Sequence, residues 1–183
     1  LLSLVAFSCT TSTGESNVTV ESAKDIKAPA ETNYNYSLLL EESRVTWIGS
    51  KPAGKHYGTI RFNTGKFVVE DNAIAAAKVN IDINTIICED LEENPERHDR
   101  LINHLKSDDF FDAENYPEAQ FEIAEIAPYD GNFTPEQKDE FATEYAPASA
   151  LEHVVGNPTH IITGNLTMRD TTLSISFPAA VRF

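Results

Sequence analysis

Beyond residue 36, apolar and polar residues alternate with period two over much of the chain. In 78–84, Val79, Ile81 and Ile83 fall on one side while Lys78, Asn80, Asp82 and Asn84 fall on the other, the mark of a strand with one buried face. Ile60 and Phe62 repeat the pattern in 59–63, and Thr64-Gly65 is expected to turn the chain into a return strand over 66–69. Residues 120–123 and 173–177 alternate likewise, and 160–168 read as a strand in which Gly164 marks a bulge or bend. Residues 95–106 depart from the rule. His98, Leu101, Ile102 and Leu105 share a helical face, with Pro95 and Glu96 suited to a first turn and Lys106 to the last. Ser107 then opens a second short turn over 107–112, and at least one of Phe110 and Phe111 must face the core.

Strands that each carry one apolar face, interrupted by one short helical lid, predict a mainly β domain. A single antiparallel sheet would bend over its core as a barrel or a sandwich. A barrel with a polar outside and apolar inside meets this pattern economically, and about eight strands leave room for one ligand. Periodicity does not choose between a filled core and a cavity.

The rest of the chain is expected to divide into three parts. The apolar run over 1–9 is far shorter than the roughly 20 residues that span a bilayer and reads as the remnant of a signal peptide. Cys9, after Ala6-Phe7-Ser8 and before a polar tract, resembles the acylated cysteine of a bacterial lipoprotein box, although Ala6 stands where Leu is usual. Loss of Cys9 on cleavage, or a bridge to Cys88, are the alternatives. Residues 10–34 lack a sustained apolar period and are read as a flexible tether. Residues 35–183 form the β domain, with a long acidic insertion at about 128–157. The chain stops at Phe183, apparently within a strand, so further strands are expected beyond it.

Charge narrows the partners. Asp and Glu number 29 against 14 Lys and Arg, a formal net charge of −15. Such a surface repels nucleic acid and anionic headgroups, so any membrane attachment would come through an acyl anchor at Cys9. Catalytic signatures are lacking: there is no G-x-S-x-G elbow or phosphate loop, and Cys88 has no His beside it in sequence. His98, Asp99 and His104 lack the i, i+4 spacing that sets two ligands together on a helix, so no metal site is expected.

Three stretches carry a family resemblance. They are Val45-Thr46-Trp47-Ile48-Gly49-Ser50-Lys51 leading into Gly54-Lys55-His56-Tyr57-Gly58; His104-Leu105-Lys106-Ser107-Asp108-Asp109-Phe110-Phe111-Asp112 with Tyr116-Pro117 and Phe121; and Ile162-Thr163-Gly164-Asn165-Leu166-Thr167-Met168-Arg169. In order and spacing they resemble the YceI-like family of bacterial periplasmic proteins, in a version like that of Bacteroidetes-type members. The resemblance covers roughly 36–183. It implies a lipocalin-like antiparallel barrel whose last strands are missing here, and an apolar cavity for a polyisoprenoid, quinone or related lipid, with no cofactor and no catalysis.

The expected cavity wall includes Trp47, Phe62, Phe67, Ile81, Phe110, Phe111, Phe121 and Ile123, with His56 the first candidate for a polar headgroup and Tyr116 a further one, beside His104. The apolar residues have a plainer reading as core, His56 as an exposed loop histidine, and His104 as a structural hydrogen bond that fixes the lid helix. The functional expectation is a periplasmic or outer-membrane-anchored lipoprotein that carries or sequesters an apolar molecule. The rivals are an envelope stress or interaction module with a filled core, and an enzyme acting on a lipid headgroup.

Overall fold

The computed structural model describes residues 19–26, 34–51, 54–133, 155 and 157–182. Eight strands make one antiparallel sheet: β1 Thr19–Ser22, β2 Tyr36–Ser37, β3 Arg44–Lys51, β4 Gly54–Glu70, β5 Ala73–Cys88, β6 Glu118–Pro128, β7 His160–Met168 and β8 Thr171–Ala179. A 12-residue helix, α1 Pro95–Lys106, follows β5. Its start is set as the sequence suggests, with Pro95 in the first turn and the Asn94 side chain accepting from the Arg97 amide at 3.2 Å.

The strands run in the order β1-β8-β7-β6-β5-β4-β2, with β3 also on β4. From β3 to β8 this is a meander in which each strand pairs with the next. β2 and β3 share one edge of β4, Tyr36 lying opposite Phe67 and Val45 opposite Ile60.

This arrangement corrects the expected barrel. Among the described residues β1 pairs only with β8, while β2 and β3 pair only with β4, so the sheet is open. The physical reason is that period-two alternation reports only that one face is apolar. Closure depends on which strands meet at the edges, and alternation does not encode that.

Two further corrections are local. Thr64-Gly65 does not turn: β4 runs on to Glu70, with register irregularities against β5 near Phe62 and Val68. The hairpin turn is Asp71-Asn72, whose φ values of 49° and 58° lie in the left-handed region that Asp and Asn tolerate and two-residue hairpins need. Similarly, the irregularity expected at Gly164 lies in the facing strand, between Ile123 and Glu125.

The segment read as a flexible tether contributes β1, whose Val20 sits opposite Ile175. Past it, Lys24 and Asn165 exchange hydrogen bonds of 2.9 and 2.7 Å. Strand β8 ends at Ala179, and Ala180, Val181 and Arg182 lie outside any strand. Cys9 and most of the acidic insertion, 134–154, lie outside the described residues.

Helix α1 covers one end of the apolar face. Ile102 and Leu105 pack with Ile60, Ile86, Cys88 and Leu91 into the main buried cluster, and Trp47, Leu101, Phe110 and Phe111 close around it. A smaller cluster of Ile83, Ala113 and Ala119 continues beneath Ile81 and Phe111.

Candidate functional site

Register places one set of apolar side chains on a common face, because residues directly opposite in an antiparallel pair point the same way. Phe121 faces Val79 and Leu166; Ile81 faces Phe62 and Ala119; Phe67 faces Ala77 and Tyr36; Ile123 faces Gly164. The Phe121 ring lies over Gly164, where any side chain would collide with it, and packs at 5.7 Å from Phe177. The polar face carries a different network: Glu118 accepts from Asn63 and from Asn80 at 2.9 Å.

The apolar face is not sealed. Phe62, Phe67, Ile81, Phe121 and Ile123 are each only half-buried. Among the described residues no Phe, Tyr or Trp is among the buried hydrophobic side chains, which are Ile, Val, Leu, Ala and Cys; Lys55, Thr59, Asp112, Thr163 and Ser174 are buried beside them. Large aromatics ordinarily dominate protein cores; here they line a surface that solvent still reaches.

Two concavities open at the end of this face remote from α1. One of about 500 Å³ is bordered by Tyr36, Phe67, Val69, Asn72, Ile74, Val181 and Arg182. A second of about 200 Å³ shares Ile74 and Val181 and adds Ile126, Pro128 and His160. Phe67 is the one residue of the expected cavity wall found there. His160, held at 2.8 Å from Thr159 Oγ1, and Arg182 are polar groups that sequence reasoning missed. Their positions follow from the pairing of Pro128 with His160, which no motif announces.

Several of the other expected ligand residues fall at the α1 end. Trp47, Phe110 and Phe111 pack against the filled cluster, and the Trp47 indole donates to the Ile87 carbonyl at 3.0 Å. Phe110 and Phe111 meet edge to face at 4.7 Å. Tyr116 lies under the Arg169 guanidinium, 5.7 Å from ring centre to charge. His104 is exposed, its ring 6.4 Å from Phe110.

Arg169 explains why two separate motifs occur together. From the turn between β7 and β8 it donates to the carbonyls of Asp108 and Phe110, each at 3.2 Å, and sits 3.7 Å from the Asp112 carboxylate. It thereby ties the loop after α1 to the sheet. Arg169→Ala is expected to cost about 1–2 kcal/mol and to speed amide exchange in 107–116. Arg169→Lys should rescue little, since one ammonium cannot reproduce the planar fork.

His56 is neither in a loop nor exposed. It lies in β4, and its Nδ1 is 2.8 Å from Asp90 Oδ2. The other Asp90 oxygen accepts from the Tyr57 amide at 2.8 Å and from the Cys88 thiol at 3.2 Å. Cys88, the last residue of β5, is fully buried. Burial, reinforced by the adjacent Asp90 carboxylate, pushes its thiol up to about 12. Burial alone would raise Asp90, but the donors from Tyr57, His56 and Cys88 outweigh it and hold the carboxyl below its ordinary value. A protonated, sealed thiol is no nucleophile. Among the described residues, His56, Cys88 and Asp90 are a group whose ligand atoms could hold a metal, all lying within 4.8 Å of one another.

Fold and site together define an antiparallel β protein that presents an apolar face. The YceI-like domain model matches residues 36–182, and the chain belongs to that family. It is also similar to the UPF0312 protein plu2095 of Photorhabdus laumondii, 37% identical over 70 residues, which is 38% of this chain and 33% of that protein. The matched stretch thus spans only a third of the curated relative's length.

Proposed function

We propose that the protein binds an elongated apolar molecule, of the polyisoprenoid or quinone type, along the apolar face of its open sheet, and carries or sequesters it in the cell envelope. One observation carries the reading: the aromatic side chains of that face stay half-buried, whereas the apolar side chains that are buried belong to Ile, Val, Leu, Ala and Cys. The concavity at Phe67, Ile74 and Val181 supplies an end for the tail or headgroup, with His160 and Arg182 as polar neighbours. Burying one isoprene unit contributes about 3–4 kcal/mol, at about 0.8 kcal/mol per carbon, so affinity is readily obtained and selectivity must come from the shape of the face. A filled-core interaction module accounts for the α1 end but not for the half-buried Phe62 and Phe121. Acylation at Cys9 would hold the domain at a membrane, periplasmic or outer, through chains that each contribute to an effectively permanent anchor.

The test is uptake of an added long-tailed isoprenoid quinone, measured by its absorbance co-eluting with protein on gel filtration. About one equivalent should bind. A folded Phe62→Glu/Phe121→Glu protein should retain less than about a tenth of that, because each carboxylate must be desolvated under the ligand. Equal uptake by the variant, or none by the native protein, would contradict the reading.

A further inference from the structure

We propose that His56, Cys88 and Asp90 form a site for a borderline-soft divalent cation of the zinc class, independent of the apolar face. The three donors are a ring nitrogen, a sulfur and a carboxylate oxygen, and they come from three backbone segments: β4, the end of β5 and the short 3-10 turn Glu89–Leu91. Their ligand atoms lie within 4.8 Å of one another, a separation that one tetrahedral ion with bonds of about 2.0–2.3 Å can bridge.

The surroundings are those of a metal site. Ile60, Ile86, Leu91, Ile102 and Leu105 form an apolar shell around Cys88. The Tyr57 amide holds the Asp90 oxygen on the side away from His56, the outer-shell support that orients a coordinating carboxylate. His56, 18% exposed at its side chain against 10% for Asp90, offers the way in. The His98 Nε2 is engaged by the Cys88 amide at 3.4 Å, so water would complete the coordination.

Tyr57 and His56 already satisfy the Asp90 carboxylate, whereas the Cys88 thiol is a weak donor and gains little from its place beside it. A divalent ion changes the balance. As it binds, the Cys88 thiol proton and the His56 Nδ1 proton leave, the latter by release or by transfer to Nε2. The resulting thiolate and carboxylate together match the two positive charges of the ion.

Cobalt(II) is the probe, added to the full chain after chelator treatment. The expected result is saturation at one equivalent, with visible ligand-field bands of a tetrahedral ion and a near-ultraviolet sulfur-to-cobalt charge-transfer band, all removed by stoichiometric zinc. Cys88→Ser should abolish the charge-transfer band, while Cys9→Ser should leave it intact. His56→Gln, at the more exposed ligand, should weaken binding by at least the roughly 10–100-fold that even outer-shell changes cost, and this decides the matter if Cys88→Ser does not fold. No stoichiometric binding, a band that survives Cys88→Ser, one that disappears with Cys9→Ser, or unchanged affinity in His56→Gln would each overturn the proposal.

Discussion

Gly58→Ala is expected to be the most damaging single-methyl substitution in the sheet. A β-carbon there would collide with the Ile87 carbonyl oxygen and stand 2.8 Å from the Ile87 carbonyl carbon and 3.0 Å from Cys88 Cα. All three are backbone atoms, so no side-chain rotation relieves the clash; β4 and β5 must separate. That same Ile87 carbonyl accepts the Trp47 indole, and Gly58 is paired with both Trp47 and Cys88. The added methyl therefore disturbs a hydrogen bond, two strand pairings and the main buried cluster together. Overpacking of this kind costs about 3 kcal/mol or more, which for a chain of this size lowers Tm by about 6–12 °C. Two other glycines supply the contrast. At Gly49 the nearest atom is a Trp47 ring carbon at 3.7 Å, so Gly49→Ala should be nearly neutral. At Gly65 the nearest atom is Leu38 Cβ at 2.6 Å, which moves only with the short segment that carries it and not with the whole β4–β5 pairing, so Gly65→Ala should fall between the two. Thermal melts of the three variants check the order.

The second large effect concerns Asp90. Its carboxylate accepts from Tyr57, Cys88 and His56, and Asp90→Ala leaves those groups without it in a nearly buried pocket. At about 1–3 kcal/mol for an unsatisfied buried donor, the expected loss is about 2–4 kcal/mol, measured by urea unfolding of chelator-treated protein. The native pair also gives an acid-side dependence. Asp90 is held below its ordinary value of 3.8, so the folded state binds its proton more weakly than the unfolded state. The stability it contributes is fully present above 3.8 and is lost as pH falls through the lower folded value. Asp90→Ala should therefore flatten the acid limb of the stability–pH curve. An unchanged limb would show that other carboxylates govern it.

Much of the local structure was legible in the residues. The alternation around Val79, Ile81 and Ile83 lies within β5, and the helix read from Pro95 and Lys106 has those bounds. Those signals are local: a side chain's face follows from its neighbours two or four positions away. The turn was misplaced because Thr64-Gly65 looks like a hairpin dipeptide, whereas Gly65 serves instead to make room for Leu38. Asp71-Asn72 carried the usable signal. β1 was missed because four residues with one clear β-branched pair, Thr19-Val20, barely stand out in a polar tract.

What remained hidden is relational. Whether β1 meets β2 or β3 depends on where β1 docks, and it docks on β8 near the far end of the sequence, Thr19 opposite Ser176; alternation is silent on that. The candidate site followed the same division. Ile81, Phe121 and Ile123 could be assigned to one face by parity, Phe62 and Phe67 share it within β4 only because the register shifts after Phe62, and Trp47, Phe110 and Phe111 proved to belong to the filled end. His56 joins Asp90 across 34 positions, so its partner could not be read from local spacing. Only the nearness of Cys88 to Asp90 in sequence hinted at that cluster.

The most direct test of the central claim is what the protein holds when taken from the cell. The full natural protein should be purified from a bacterial envelope in mild detergent, extracted with organic solvent, and the extract examined by mass spectrometry. The account predicts about one equivalent of a single class of long apolar molecule, absent from material carrying Phe62→Glu and Phe121→Glu in a folded state. A folded native protein that yields no such molecule, and takes up none when isoprenoid lipids are supplied, would contradict it.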